Sequence, residues 1–182
     1  MFVIRRIHDD LLSVNQRALA VVQQMLREQF KGLPEQKIAD IPRQLREPST
    51  PKSRRVVLVA ETGRGVKGFA TIMHAPDLRF CYLDFIAAAR FETSQGIGGA
   101  LYERAREEAL LLGSIGLFFE CLPDDATEVH DKRDLAQNIA RLRFYERYGA
   151  RPIDNTAYRT PVRPHETEQP YLEQITQPPQ EH

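Results

Sequence analysis

The sequence predicts a mixed α/β fold: a β-sheet of mixed strand direction with helices on both faces. Three observations predict it. Strand-like and helix-like periods alternate through the first 162 residues in the order β-α-α-β-β-β-α-β-α-β. Three strands follow one another in the middle of that order, separated by short turn signals, which is the pattern of an antiparallel meander. The third of them reaches the next strand only through a helix, and that crossover demands a parallel pair.

Each element has its own signal. Residues 2–7 read as a short strand. Residues 11–30 carry a long helical period in which Leu12, Leu19, Val22, Met25 and Leu26 share one side, with Asp9 or Asp10 as its cap and Gly32 as its stop. A second, shorter helix runs from residue 34 or 35 to 46. Residues 55–61 and 66–74 are strands joined by Thr62-Gly63-Arg64-Gly65, a hairpin signal. Residues 79–88 are the third strand of the group, set off by Pro76-Asp77. Residues 96–112 are helical, with Ile97, Leu101, Ala105 and Ala109 recurring at i+4. A buried strand covers 115–121, a further helix covers 135–148 and ends at Gly149, and a last short strand or hairpin covers 151–162.

Composition bounds the function. Of 182 residues, 42% are hydrophobic and 27% charged, enough for one soluble domain with a real core. Lys plus Arg is 25 and Asp plus Glu is 25, so the formal charge is zero, which argues against a chain built mainly to hold nucleic acid or an anionic membrane. No apolar run approaches the ~20 residues a bilayer span needs. The first ten residues turn charged too soon for a secretory signal. Cys81 and Cys121 make neither a disulfide framework nor a clustered zinc site. The expectation is a cytoplasmic protein in a reducing compartment, with no metal and no nucleic-acid or membrane partner. From Arg163 onward one Arg faces Glu166, Glu168, Glu173 and Glu181, four of the twelve prolines occur, and no period is visible, so 163–182 reads as a mobile tail or linker after a domain at 1–162. The cluster from Pro48 to Arg55 reads as an exposed basic loop, and Arg43, Arg46, Lys52, Arg54 and Arg55 as a solvated face.

The informative stretch runs from Asp84 to Leu101. A strand enters a loop, and the loop enters a helix through Gly96, Gly98 and Gly99. Glycine lets the backbone approach a ligand closely, and the first helical turn leaves about four N–H groups unpaired at the positive end of the dipole. Together they make an anion site suited to a pyrophosphate. Two familiar phosphate loops do not fit: Gly98 is followed by Gly99-Ala100 rather than Lys-Ser or Lys-Thr, and position 101 is Leu where a dinucleotide fingerprint needs Gly. Taken alone the stretch is also compatible with a glycine-rich helix entry used only for packing.

Thr93-Ser94-Gln95-Gly96-Ile97-Gly98 resembles motif A of the GNAT superfamily of N-acetyltransferases, Arg/Gln-x-x-Gly-x-Gly/Ala, with Thr93 standing where that family prefers Arg or Gln. The run Asn138-Ile139-Ala140-Arg141-Leu142-Arg143-Phe144-Tyr145-Glu146-Arg147-Tyr148-Gly149-Ala150 is similar to the family's late helix, Asn-x-x-Ala-x-x-x-Tyr-x-x-x-Gly-Phe, with Ala150 in place of Phe. The resemblance spans residues 2–162. It implies a mainly antiparallel sheet with one splayed parallel pair, and acetyl-CoA as acyl donor. The pantetheine arm would bond the backbone of Ile86, Ala87 and Ala88. The diphosphate would sit on the loop and helix start at Thr93, Ser94, Gln95, Gly96, Ile97, Gly98 and Gly99. Asn138, as cap of the late helix, and Tyr145 complete the cofactor set. A narrower kinship with acetyltransferase-like domains ahead of bacterial deacetylase-like domains would make the tail a junction and a deacetylase-like domain a partner. A homodimer also stays open.

Transfer of acetyl from a thioester to an amine needs a proton acceptor, oxyanion donors and an acid for the leaving thiolate. Tyr145 is the acid candidate, with a core tyrosine as the alternative. Glu120, a lone carboxylate in the otherwise apolar Gly116-Leu117-Phe118-Phe119-Glu120-Cys121, is the base candidate; the alternative is a structural pair with Arg141 or Arg143. Asp84 is the rival base. Cys121 reads as packing. The acidic segment 123–134 is a candidate entry for a cationic amine, or a plain surface loop. The reading is an N-acetyltransferase acting on a small-molecule or protein amine by direct attack in a ternary complex; the alternative is a non-catalytic acyl-CoA-binding regulatory module of the same fold.

Overall fold

The computed structural model describes residues 1–47, 53–89, 96–127 and 129–153, together with the backbone of Leu172–Thr176. In chain order the elements are β1 (Val3–Ile7), α1 (Ser13–Gln29), α2 (Glu35–Ala39), α3 (Ile41–Arg46), β2 (Arg54–Thr62), β3 (Gly65–Ala75), β4 (Phe80–Ala88), α4 (Ile97–Leu111), β5 (Leu117–Cys121), α5 (Lys132–Glu146), β6 (Arg151–Pro152) and β7 (Leu172–Thr176). They build one sheet in the order β1-β2-β3-β4-β5-β7-β6. Every pairing is antiparallel except β4–β5, the parallel pair that the crossover through α4 requires.

The sheet separates two apolar layers. On one face α1, α2 and α3 pack Leu19, Val22, Leu26, Ile38 and Ile41 against Val57, Val59 and Phe69. On the other, α4 and α5 pack Ile97, Leu101, Tyr102, Leu142 and Tyr145 against Leu58, Ile72 and Phe119. Ile97, Leu101, Ala105 and Ala109 are all buried, as their i+4 spacing predicts. Glu108 is buried on the same helix because Arg6 of β1 pairs with it and Arg104 Nη2 lies 3.1 Å away, so its charge does not enter the core alone.

Two irregularities set up the site. Gly68 lies in β3 directly under α4: a Cβ there would stand 2.7 Å from Ile97 Cγ2 and 2.9 Å from the Ala87 carbonyl oxygen. Only glycine lets the first turn of α4 come down onto the sheet at this point. In β4, Thr71 pairs with Phe85 but Ile72 with Leu83, so Asp84 is the extra residue of a β-bulge. The bulge reverses the facing pattern. Cys81 and Leu83 belong to the α4 layer, whereas beyond Asp84 it is Phe85 and Ala87 that belong to the α1 layer.

Several expectations are corrected. The helix expected from residue 34 or 35 to 46 is two helices, split at Asp40. Pro42 stands in the first turn of α3 and has no N–H to continue the α2 ladder. Neither Asp9 nor Asp10 caps α1; Leu12 is its N-cap and is exposed, while Asp9 Oδ1 accepts from the Leu11 N–H at 2.9 Å. The helix expected at 135–148 starts at Lys132 because Asp131 caps it, accepting from the N–H groups of Arg133 and Asp134. Within 151–162 only Arg151–Pro152 is a described strand, and residues 154–162 lie outside the described residues. The stretch expected as a tail supplies β7, which pairs antiparallel with β5 and with β6. The basic residues are not a uniformly solvated face: Arg46 pairs with Asp10 at 2.7 Å, and Arg55 is largely buried against Asp84 at 2.6 Å. Residues 48–52, most of the expected basic loop and Lys52 with it, lie outside the described residues.

Candidate active site

The parallel pair is short. Its ladder is registered only at Cys81↔Leu117 and Tyr82↔Phe118, and beyond Tyr82 the two strands part. The bulge at Asp84 coincides with this divergence. Between the parting strands opens a cleft of about 370 Å³, in the size range of small-molecule sites. Its walls bring together Asp84 and Ile86 from β4, Glu120 from β5, and Arg141 and Tyr145 from α5. The three residues expected to do chemistry therefore line one cleft, although they come from three elements. Across the cleft α1 ends at Gln29, whose Nε2 donates to the Ala88 carbonyl at 3.1 Å. Ile86, Ala87 and Ala88 pair with β3 on one edge, and no β5 residue registers with them on the other.

At the start of α4, Gly96 is the N-cap in the left-handed region (φ 73°), a conformation that favours glycine, and no side chain among the described residues caps the helix. The first intrahelical acceptor is the Gly96 carbonyl, bonded by the Ala100 N–H at 3.0 Å, so the amides of Ile97, Gly98 and Gly99 precede the ladder and have no acceptor among the described residues. A Cβ at Gly98 would meet nothing within 4 Å, so this turn faces open space. A Cβ at Gly99 would collide with the Tyr148 hydroxyl; its bareness serves the packing of α5 on α4. These features fit an anionic group: amides without an acceptor among the described residues and a positive helix end. Thr93, Ser94 and Gln95 lie outside the described residues.

Tyr145 sits in an aromatic cluster, 4.4 Å from the Phe119 ring centroid and 4.9 Å from that of Tyr102. Burial pushes its phenol well above the ordinary range, the neighbouring Cys121 adds to this, and Arg141 opposes it. At neutral pH the hydroxyl therefore keeps its proton. Cys121 is buried, and its thiol is pushed up to about 12, chiefly by burial, so it is no nucleophile. Asp84 Oδ2 accepts from Arg55 Nη1 at 2.6 Å, and Arg55 Nε donates to Gln44 Oε1 at 2.6 Å.

Asn138 is corrected as a cap. It lies inside α5, buried, and its Nδ2 donates to the Pro123 carbonyl at 2.8 Å, pinning the segment after β5. The acidic segment it pins spends its charges locally: Asp125 Oδ1 accepts from Thr127 N and Oγ1, which lowers that carboxyl, and Asp131 caps α5. Sequence reasoning missed Gln29, Gly68 and Arg55. Gly68 had a signal, an isolated glycine in a strand. Gln29 and Arg55 act across 59 and 29 residues and had none.

No family model matches the sequence, and no curated protein matches it. Solved structures do. The chain superposes on an aminoglycoside 6′-N-acetyltransferase complexed with coenzyme A at a TM-score of 0.70, with 15% identity over 99% of each chain. The chain has the GNAT fold. A ribosomal-protein alanine N-acetyltransferase from Escherichia coli gives a TM-score of 0.62 with 17% identity, over 100% of this chain and 97% of that one. A tandem GNAT protein from the clavulanic acid biosynthesis pathway gives 0.65 with 18% identity over 85% of this chain, which spans 45% of that protein's length. The parting parallel strands and the glycine-led helix start are thus set within a GNAT-fold sheet. Among the described residues no helix is long and apolar enough to cross a membrane, and no group of three or more His, Cys, Asp or Glu could hold a metal ion.

Proposed function

We propose that the protein is an N-acetyltransferase that moves acetyl from acetyl-CoA to a primary amine by direct attack in a ternary complex. One observation carries the reading: Asp84, Glu120 and Tyr145 line a cleft between parting parallel strands, on a sheet whose next helix begins with three amides that have no acceptor among the described residues.

The fit to the donor is chemical. The amides of Ile97, Gly98 and Gly99 would hold the diphosphate, and the unregistered edge at Ile86, Ala87 and Ala88 would take the amide-bearing arm as an added strand. Bound there, the coenzyme supplies an acyl thioester. Glu120 accepts the proton of the incoming ammonium, directly or through water, and frees the lone pair that forms the new C–N bond. As the C–S bond breaks, the Tyr145 hydroxyl donates its proton to the leaving thiolate; the raised phenol pKa keeps that proton in place until then. The attacking nitrogen loses its second proton as the intermediate collapses, which restores the Tyr145 hydroxyl, so the net reaction turns an ammonium ion and a thioester into an amide, a free thiol and one proton. Asp84 is the rival base, with Arg55 Nη1 2.6 Å from its Oδ2. We read the compartment as the cytoplasm, supported by two free, buried cysteines.

The test is acetyl-CoA with a panel of amines, following thiol release and acetylated product by mass. Binding of acetyl-CoA to protein alone, measured by calorimetry, is the second readout. Turnover supports the reading. Binding without turnover of any amine would replace it with a non-catalytic acyl-CoA module, and no binding would remove both.

A further inference from the structure

A second concavity, also about 370 Å³, lies on the α1–α3 face of the sheet and meets the cleft at Asp84 and Phe85, which line both. Its apolar lining is Leu33, Ile41, Met73, Tyr82 and Phe85. Its charges are unbalanced. Asp84 is the one acid on the described lining, and Arg55 pairs with it. The Arg55 guanidinium is fixed by two bonds, Nε to Gln44 and Nη1 to Asp84, while Nη2 has no partner among the described residues. Lys37, from α2, stands on the same lining, exposed and with no ion pair among the described residues. The concavity thus offers an apolar body two cations against a single, already paired carboxylate.

Resting on the acyl-transfer reading, we propose that this concavity selects the acceptor, and that the acceptor is a free amino acid with an apolar side chain. Its carboxylate meets Lys37 and the open Nη2 of Arg55, its side chain lies against Met73, Tyr82 and Phe85, and its amine reaches past Asp84 into the cleft. A polycation finds no unpaired acid on the described lining. The sequence-based expectation of a cationic acceptor drawn in by residues 123–134 meets carboxylates of which two, Asp125 and Asp131, are already engaged by their own backbone.

Three probes test this at saturating acetyl-CoA: phenylalanine, phenylalanine amide and spermidine. Phenylalanine is expected to have the lowest KM. Losing its carboxylate, as in the amide, should raise KM about tenfold or more, the scale of one lost charge-assisted hydrogen bond. Lys37→Glu should raise the KM for phenylalanine alone by a similar factor with acetyl-CoA affinity unmoved, and Lys37→Arg should restore it. Preference for spermidine or the amide, or an unchanged KM in Lys37→Glu, overturns the proposal while leaving acetyl transfer standing. Binding of phenylalanine, read by saturation-transfer NMR without acetyl-CoA, separates the two claims. Lys37-dependent binding with no turnover keeps the ligand class and removes the reaction; no binding and no turnover removes the ligand class too.

Discussion

Gly68→Ala probes how far the cofactor cradle depends on packing beneath it. The new methyl would stand 2.7 Å from Ile97 Cγ2, 3.0 Å from Leu101 Cδ1 and 2.9 Å from the Ala87 carbonyl oxygen. Carbon atoms pack at about 3.5 Å or more, so the first turn of α4 must retreat by roughly 0.8 Å or β4 must bend away. Overpacking of this kind costs about 1–3 kcal/mol, which for a chain of this size lowers Tm by roughly 2–12 °C. The same retreat moves the amides of Ile97, Gly98 and Gly99 relative to the edge at Ile86–Ala88. A misplacement near 1 Å costs up to about a hundredfold in positioned chemistry, so acetyl-CoA affinity should fall at least about tenfold although Gly68 touches no ligand. Circular dichroism in urea reads stability, and calorimetry reads binding. Ile97→Ala in the same chain removes the nearest clash and should recover binding in part, the carbonyl contact remaining. Wild-type acetyl-CoA affinity in Gly68→Ala would refute the reasoning, because the helix start would then sit independently of the strand below it.

Other outcomes follow from the same geometry. Tyr145→Phe should lower kcat by about a hundredfold, the usual scale of a lost general acid, while acetyl-CoA affinity stays within about twofold; single-turnover and binding measurements separate the two. Glu120→Gln should slow the reaction most at low pH, where free amine is scarce, and an unchanged pH–rate profile would move the base elsewhere. Burial, with Arg54 and Arg6 nearby, lowers the His74 pKa, so the folded protein binds this proton less readily than the unfolded chain. Stability should therefore be full above the ordinary imidazole pKa of about 6.5 and decline as pH falls from there through the folded value; His74→Met should flatten that slope in urea titrations at pH 5–7. Burial raises both Cys81 and Cys121, so neither should react with a thiol reagent until urea unfolds the chain, which leaves a released coenzyme thiol as the signal in a colorimetric assay.

What could be read from residues alone was what short-range chemistry encodes. The hairpin at Thr62–Gly65 and the α4 face at Ile97, Leu101, Ala105 and Ala109 follow from periods and turn residues within a dozen positions, and the parallel pair follows from the order of those elements. The split at Asp40 was encoded too, in Pro42, but the apolar period outweighed it. The bulge at Asp84 carries neither Gly nor Pro, and depends on how β3 and β4 align over their full length. β7 has no period strong enough to announce it because its partners, β5 and β6, supply the register. For the site, Glu120, Tyr145 and Asp84 were found as odd residues in apolar or motif settings, and they line one cleft. The second concavity was invisible, since Lys37, Arg55 and Tyr82 meet only after α2 and α3 fold over β2 and β4. Arg55 in particular read as a surface charge because its partner lies 29 residues away.

The two registered rungs between β4 and β5 have a mechanical consequence. Only the β6–β7 ladder has as few, and these rungs lie between the meander of β1 to β4 on one side and β5, β7 and β6 on the other. Few backbone bonds therefore hold the mouth of this joint closed, and the α4 and α5 side chains packed across both halves of the sheet carry the rest of its closure.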